Sequence, residues 1–239
     1  MKATGTTPPQ ARDEEQAARW VRGMFGRVAP RYDLLNHLLS FNRDQAWRKH
    51  AVDRLRTSLA KPGARALDLC CGTGDLALTL ARSPAWVAAS DFCHPMLTAA
   101  KAKGCPRLFE ADALALPVAS ESFDVVTVAF GFRNFANYRR GLDEMRRILR
   151  PGGTLAILEF TTPPHAVFRA GYNFYSRHVL PRLGGLLSGA PDAYRYLPES
   201  VRKFPNAPDL AAAMQGAGLT QVEFEYLSFG VVALHLGRR

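Results

Sequence analysis

Nowhere does the chain run for about eighteen apolar residues without a charge, so a membrane-spanning helix is not expected. The start, Met1 to Pro9, has one lysine and no apolar stretch behind it, which argues against a secretory signal. Residues 1–12 therefore read as a disordered tail, and a cytoplasmic protein is expected. Cysteine is scarce: Cys70 and Cys71 are adjacent, Cys93 and Cys105 stand alone, and none has metal-ligand spacing. Buried, reduced thiols follow. His37, His50, His94, His165, His178 and His235 also lack ligand spacing, so no metal is expected, and His235 reads as a satisfied core histidine. Internal repeats and low-complexity tracts are missing, which leaves an ordinary globular chain.

Acidic residues are outnumbered, 21 against 31 Lys and Arg, for a formal charge of +10. Such a balance suits an anionic partner, either nucleic acid or an acidic membrane surface. Arg139, Arg140, Arg146, Arg147 and Arg150 fall on one predicted helix, and Arg169, Arg177, Arg182, Arg195 and Arg202 follow later. This spacing fits a solvated face equally well. A basic module with exposed aromatics, or an appended domain, would accompany RNA recognition; neither is evident, so nucleic acid is not the expected partner.

With 239 residues and 47% hydrophobic content, the chain can bury the core of one α/β domain, assigned to residues 13–239. Residues 13–60 carry helical spacing, with Val21, Met24, Phe25 and Val28 at core positions, and form a helical preface. Lys61-Pro62-Gly63 ends it, and Arg65 to Cys70 reads as a buried strand. Helix and strand then alternate: helix 75–81, strand 86–90, helix 95–103, strand 108–110, strand 123–130, and a helix ending at Leu149. Pro151-Gly152-Gly153 is expected to turn that helix into the strand Leu155 to Leu158. The alternation implies a parallel sheet. Between 161 and 205 it lapses into an aromatic, Arg-rich, Pro- and Gly-punctuated stretch that reads as an inserted lid. Phe168, Tyr172, Phe174 and Tyr175 there fit either a tunnel lining or core. A helix near 210–216 and two strands close the chain.

The turn Cys71-Gly72-Thr73-Gly74-Asp75 follows the first strand, and Gly72 to Ala77 satisfies the dinucleotide fingerprint with Ala in third place. Asp91, at the end of the next strand, stands where an acid would hold a ribose. By pattern the turn suits NAD or S-adenosylmethionine, since both need a backbone without Cβ and both present vicinal hydroxyls. Charge separates them. A pyrophosphate would meet Asp68 and Asp75 where it requires bare amides, whereas an ammonium and a sulfonium are favoured beside carboxylates. Asp112 follows the third strand and fits either an adenine contact or a turn cap.

Beyond that core, Phe25 to Asn36, Trp47-Arg48, Phe130-Gly131-Phe132-Arg133-Asn134, Tyr196 to Ser200 and Gly230 to His235 resemble the menaquinone and ubiquinone biosynthesis C-methyltransferases, across about Met24 to Gly237. The family comprises the demethylmenaquinone and polyprenyl-benzoquinol methyltransferases. The resemblance implies a Rossmann-like class I methyltransferase: a mostly parallel seven-stranded sheet with helices on both faces, the helical preface, and the late helical lid. It also implies S-adenosylmethionine as cofactor, held around Asp68, Gly72, Thr73, Gly74, Asp91, Asp112 and Ala113. A further contact is implied at Ala129, where many relatives carry Ser. Cys70 departs from the Gly of many methyltransferases.

The implied reaction is C-methylation of a polyprenyl quinol, demethylmenaquinol ahead of a benzoquinol, with peripheral contact at the inner membrane surface and a homodimer as further expectations. Such a reaction needs an ionised ring hydroxyl and an aligned ring carbon. Arg133, permanently cationic just past a strand end, suits the oxyanion; Asn134 suits the second ring oxygen, and Tyr32 reaches from the preface. Each has a structural alternative: Arg133 pairing with a carboxylate such as Asp112, Asn134 capping the next helix, Tyr32 packing in the core.

Overall fold

The computed structural model describes residues 4–9, 11–175, 178 and 191–239. Among them, β1 (Arg65–Leu69), β2 (Trp86–Asp91), β3 (Leu108–Glu110), β4 (Phe123–Ala129), β5 (Leu149–Phe160), β6 (Thr220–Leu227) and β7 (Val232–Arg238) form one sheet in the order β3-β2-β1-β4-β5-β7-β6. The first five strands pair in parallel, and β7 is antiparallel to both neighbours. Strand order reverses between β1 and β4, which opens a crevice at their carboxyl ends.

The central strands are apolar almost throughout because both sheet faces are covered. Leu67, Leu69, Val126 and Val128 pack on one face with Phe132, Leu142, Met145 and Ile148; Ala66 and Val125 point oppositely, toward Trp47, Leu55, Leu59 and Leu80. Helix α7 (Tyr138–Ile148) presents Tyr138, Leu142, Met145 and Ile148 inward at helical spacing. Its arginines lie outward, with Arg139 paired to Asp143 at 2.9 Å, Arg147 to Glu144 at 2.8 Å, and Arg150, just beyond, to Asp124 at 2.8 Å. That basic cluster is a solvated face on which Arg139, Arg147 and Arg150 are paired with acids.

The preface is four helices: α1 (Glu14–Val28), α2 (Tyr32–Leu39), α3 (Arg43–Arg54) and α4 (Arg56–Leu59). Asp13 caps α1 by accepting from the amide of Gln16 at 2.7 Å. Pro30 and the positive-φ pair Phe41 and Asn42 break the run.

Two expectations are corrected. Pro151 to Gly153 lies within β5, where the pairing jumps from Phe123 with Leu149 to Val125 with Thr154. A bulge absorbs the glycines because Gly152 and Gly153 exchange backbone hydrogen bonds with Arg239. The described part of the expected disordered tail is seated on the loop after β4. The Thr6 amide donates to the Phe135 carbonyl at 2.7 Å and the Tyr138 amide donates to the Thr4 carbonyl at 2.8 Å. Gly5 fits because it has no Cβ, which would fall 1.8 Å from the Ala136 oxygen.

Within the stretch expected as a lid lie α8 (Ala166–Phe174) and α9 (Pro191–Lys203); Arg177, Arg182 and the Arg195 side chain lie outside the described residues. Helix α10 (Ala207–Gly216) follows, and buried His235 donates from Nε2 to the Ala207 carbonyl at 2.9 Å, while its Nδ1 has no partner among the described residues, so it is a core histidine satisfied on one side only.

Candidate functional site

At the carboxyl ends of β1 to β4 the sheet and preface border a cleft, the place where ligands bind in open α/β sheets. Leu69, Cys70 and Gly72 line it from the β1 turn, Ser90 and Asp91 from β2, residues 111–114 from beyond β3, and residues 129–131 and 134–136 from beyond β4. Ala18, Phe25 and Tyr32 close it from the preface.

The β1 turn is built by three left-handed residues, Cys70 (φ 52), Gly72 (φ 55) and Gly74 (φ 88). Cys70 adopts a conformation unfavourable for a residue with Cβ. Its side chain has room because Gly131 opposite has none: a Cβ there would lie 2.5 Å from that of Cys70. Burial pushes the Cys70 thiol well above its ordinary value, with Asp91 and Asp68 adding to the shift, so it is no nucleophile. Gly72 faces the cleft, and an added Cβ would meet nothing nearer than the Tyr32 ring at 3.7 Å. Its amide donates to Asp91 Oδ2 at 2.9 Å, while the Cys93 amide donates to Oδ1 at the same distance. Burial raises the Asp91 carboxyl; these two amides oppose the rise.

The cleft thus gathers Tyr32, Gly72, Asp91, Asp112, Ala113, Ala129 and Asn134 from the residues singled out in the sequence. Asp68, Thr73, Gly74 and Arg133 stand outside its lining. Thr73 gives its hydroxyl to Asp33 and accepts from Lys103 Nζ at 3.3 Å. Gly74 packs on Cys105 and starts α5 (Asp75–Leu80). Asp68 is buried behind the turn, where desolvation pushes its carboxyl up to about 7 although Thr127 donates to Oδ1 at 2.7 Å. Its Oδ2 has no hydrogen-bond partner among the described residues.

The two acids that the charge reading weighed, Asp68 and Asp75, are not in the cleft lining. Asp75 is neutralised by Lys103 and faces Arg48 at 3.8 Å. The acids that line the cleft are Asp91 and Asp112. Among the described residues the lining holds no cationic side chain, and two carboxylates there favour a positively charged ligand over a pyrophosphate. Asp112 also fulfils its alternative role, since its Oδ1 accepts from the Leu114 amide at 2.9 Å, which leaves the second oxygen for a ligand.

Arg133 does pair with a carboxylate, but the partner is Glu159 at 2.7 Å rather than Asp112, and Nη1 also donates to the Phe130 carbonyl at 2.5 Å. Burial alone would lower the guanidinium; Glu159 reverses that and raises it. Asn134 does not cap the following helix, which Asn137 caps instead by accepting from Arg140. Asn134 Oδ1 accepts from the Tyr196 hydroxyl at 3.0 Å, and its Nδ2 is buried without a partner among the described residues. Tyr32 sits in the cleft wall, where burial raises its hydroxyl against the pull of Arg133.

Sequence reasoning missed Glu159, Tyr196 and Thr6. Glu159 left a readable signal: an acid inside the apolar run Leu155 to Phe160 must find a cation or remain costly. Thr6 left none.

Among the described residues one cluster, His37, Asp44 and Asp75, has metal-ligand geometry. The Arg48 guanidinium already stands among its carboxylates, bonded to Asp44. A cation site there is filled by the protein's own charge.

The sequence profile of the ubiE/COQ5 methyltransferase family matches residues 10–239. A demethylmenaquinone methyltransferase from Thermus thermophilus is 53% identical over 223 residues, covering 90% of this chain and 100% of the relative. One of the same name from Deinococcus radiodurans is 44% identical, covering 98% of each. Among solved structures, a SAM-dependent methyltransferase from Thermotoga maritima superposes with a TM-score of 0.66 at 18% identity, covering 90% of this chain and 98% of the other. The [4+2]-cyclase SpnF does so with 0.68 at 16%, covering 99% of each. The shared architecture is the class I methyltransferase fold, and its occurrence in a cyclase means that the fold does not name the reaction.

Proposed function

The chain belongs to the ubiE/COQ5 methyltransferase family, and on that premise we propose that it uses S-adenosylmethionine to methylate a ring carbon of a polyprenyl quinol, converting demethylmenaquinol to menaquinol. The observation that carries the reading is one cleft joining two cofactor-type acids to Asn134, whose Nδ2 has no partner among the described residues. The name of the 53% identical relative supports the naphthoquinol over a benzoquinol.

The lining fits the cofactor. Asp91 would hold the ribose hydroxyls, the second oxygen of Asp112 would be the acceptor for the adenine amino group, Gly72 would admit close approach, and Ala113 would border the base. Ala129 offers backbone only. Asp68, Thr73 and Gly74 shape the turn from behind. S-adenosylmethionine supplies an activated methyl group on a sulfonium, for which two lining carboxylates are favourable neighbours.

The protein's own contribution is position and charge. Asn134 Nδ2 donates to a ring oxygen as it gains phenolate character. Arg133, committed to Glu159 and the Phe130 carbonyl, adds a fixed positive field behind the wall, and Tyr32 bounds the ring. The ring proton leaves to water. Equal offers of the two reduced quinones with labelled S-adenosylmethionine test the reading, with label expected on the naphthoquinol. Label in RNA and none in lipid extract would overturn it.

A lipid-borne substrate also requires access. No helix among the described residues is long and apolar enough to cross a membrane. We propose peripheral contact with an anionic bilayer through an aromatic surface. Phe41 (79% exposed) and Phe229 (71% exposed) are both held at positive φ, a strained way to display a bulky apolar side chain. Phe229 stacks on Phe168 of α8 at 4.4 Å, and Phe41 contacts Tyr175, whose hydroxyl donates to the Leu39 carbonyl. Leu34 and Leu38 extend the surface along α2, the helix that begins with Tyr32 in the cleft wall. Arg43, at the start of α3 beside Phe41, and Arg169 of α8 stand exposed and complement anionic lipid.

A further inference from the structure

Thr6 and Asn134 are 128 positions apart by their numbering, yet a two-step hydrogen-bond chain joins them. Tyr196 donates its single hydroxyl proton to Asn134 Oδ1 at 3.0 Å. The Tyr196 oxygen can then only accept, so the Thr6 hydroxyl, 2.6 Å away, is the donor to it. All three side chains are buried, Thr6 at 7%, Tyr196 at 5% and Asn134 at 9% exposure.

Each end of this chain is fixed independently. Thr6 is held by its own amide on the Phe135 carbonyl and by Gly5 against the Ala136 carbonyl. The Tyr196 ring packs on Trp20 with centroids 4.9 Å apart, in a small core with Val21 and Met24. Asn134 is tied at the backbone by its amide to the Gly131 carbonyl at 3.0 Å. The remaining freedom of Asn134 is rotation of its amide, and the bond from Tyr196 decides it. With Oδ1 claimed, Nδ2 is the amide atom left over in a residue that lines the cleft. It is buried and without a partner among the described residues.

We infer that Thr6 and Tyr196 are positioning residues that hold the Asn134 amide with its donor face toward the cleft, so that the site selects a substrate presenting a hydrogen-bond acceptor, a ring oxygen, at that point. The inference rests on the proposed quinol reading for the identity of the ring, and not for the orientation of the amide. Without the Tyr196 hydroxyl the amide can turn over, and a carbonyl oxygen facing a developing phenolate repels it. The N-terminal segment therefore braces the site from behind its wall.

The test uses the full chain with Tyr196→Phe, Thr6→Val, Thr6→Ser and the double variant Thr6→Val/Tyr196→Phe. Tyr196→Phe is expected to lower kcat roughly ten-fold, equivalent to about 1.4 kcal/mol, with cofactor affinity unchanged by calorimetry. Thr6→Val gives a smaller loss, Thr6→Ser restores activity, and Thr6→Val adds nothing once Tyr196 is Phe, because it acts through Tyr196. Independent multiplication of the two losses, or full kcat in Tyr196→Phe, overturns the inference.

If Tyr196→Phe does not fold, the Thr6 pair carries the test, and a Thr6→Ser variant as impaired as Thr6→Val counts against it. A second readout does not depend on the quinol. In ¹⁵N-labelled protein the Asn134 side-chain amide resonances should shift in Thr6→Val and return in Thr6→Ser. Unmoved resonances overturn the positioning role even if wild-type protein methylates the quinol. If the resonances shift while wild-type protein leaves the quinol unmethylated, the positioning role stands and the substrate reading is what fails.

Discussion

Arg133 Nη1 lies 2.7 Å from Glu159 Oε1, with side-chain exposures of only 7% and 1%. Glu159 is saturated further: its Oε2 accepts from the Arg133 amide at 3.2 Å, and Oε1 also accepts from the Phe160 amide at 2.8 Å. The arginine that position alone suggested as an oxyanion partner is thus half of a buried ion pair. Its charge reaches the cleft as a field through the residues beside it.

Leaving one member of such a pair uncompensated costs about 3–5 kcal/mol. Glu159→Ala should lose stability of that order in chemical denaturation. Glu159→Leu combined with Arg133→Met should recover much of it, since an apolar pair of similar volume avoids the desolvation penalty. Methyl transfer in the double variant should remain about a hundred-fold down. A stable double variant with full turnover would mean that Arg133 serves packing alone.

The two lining acids should separate by experiment. Asp112→Asn keeps a side-chain acceptor for Leu114 and removes a charge, so calorimetric affinity for S-adenosylmethionine should fall roughly ten-fold with little change in Tm. Asp91→Asn should lower both, because its carboxylate accepts amides with each oxygen. Equal Tm losses in the two variants would contradict this division.

Asp68 makes stability depend on pH. Desolvation raises its carboxyl from 3.8 to about 7 in the folded protein. Between those values the folded state binds more protons than the unfolded, so this contribution is complete at low pH and is lost as pH rises through 7. Asp68→Asn removes the titration. Tm measured from pH 5 to 8 should fall for the wild type relative to the variant; a constant gap would show that Asp68 stays ionised when buried.

Lipid contact predicts a surface phenotype. Phe41→Ser and Phe229→Ser should reduce co-sedimentation with anionic vesicles, leave Tm nearly unchanged because both rings are exposed, and lower activity on vesicle-borne quinol more than on a short-tailed analogue. Added salt should weaken the wild-type interaction. Vesicle binding that ignores both salt and the substitutions would place any contact elsewhere.

Much of the fold was readable in the residues themselves. Strand and helix alternate by hydrophobic period, a pattern that needs no partner to be recognised, and so the parallel sheet and the β1 turn were anticipated. The acids at the ends of β2 and β3 were legible because strand ends in such a sheet converge on one crevice. The bulge at Pro151 to Gly153 was not, since the glycines read as a turn until Arg239 supplies their backbone partners.

What the sequence by itself determined is therefore the class of fold and the presence of acids and a glycine turn at one sheet edge, both consequences of local periodicity and chain order. Tertiary structure alone decided which charges face the cleft. It turned Asp75 to Lys103, Arg133 to Glu159 and Thr6 to Tyr196. A charge or hydroxyl acquires its role from the partner that neutralises or orients it, and these partners lie 26 to 190 positions away.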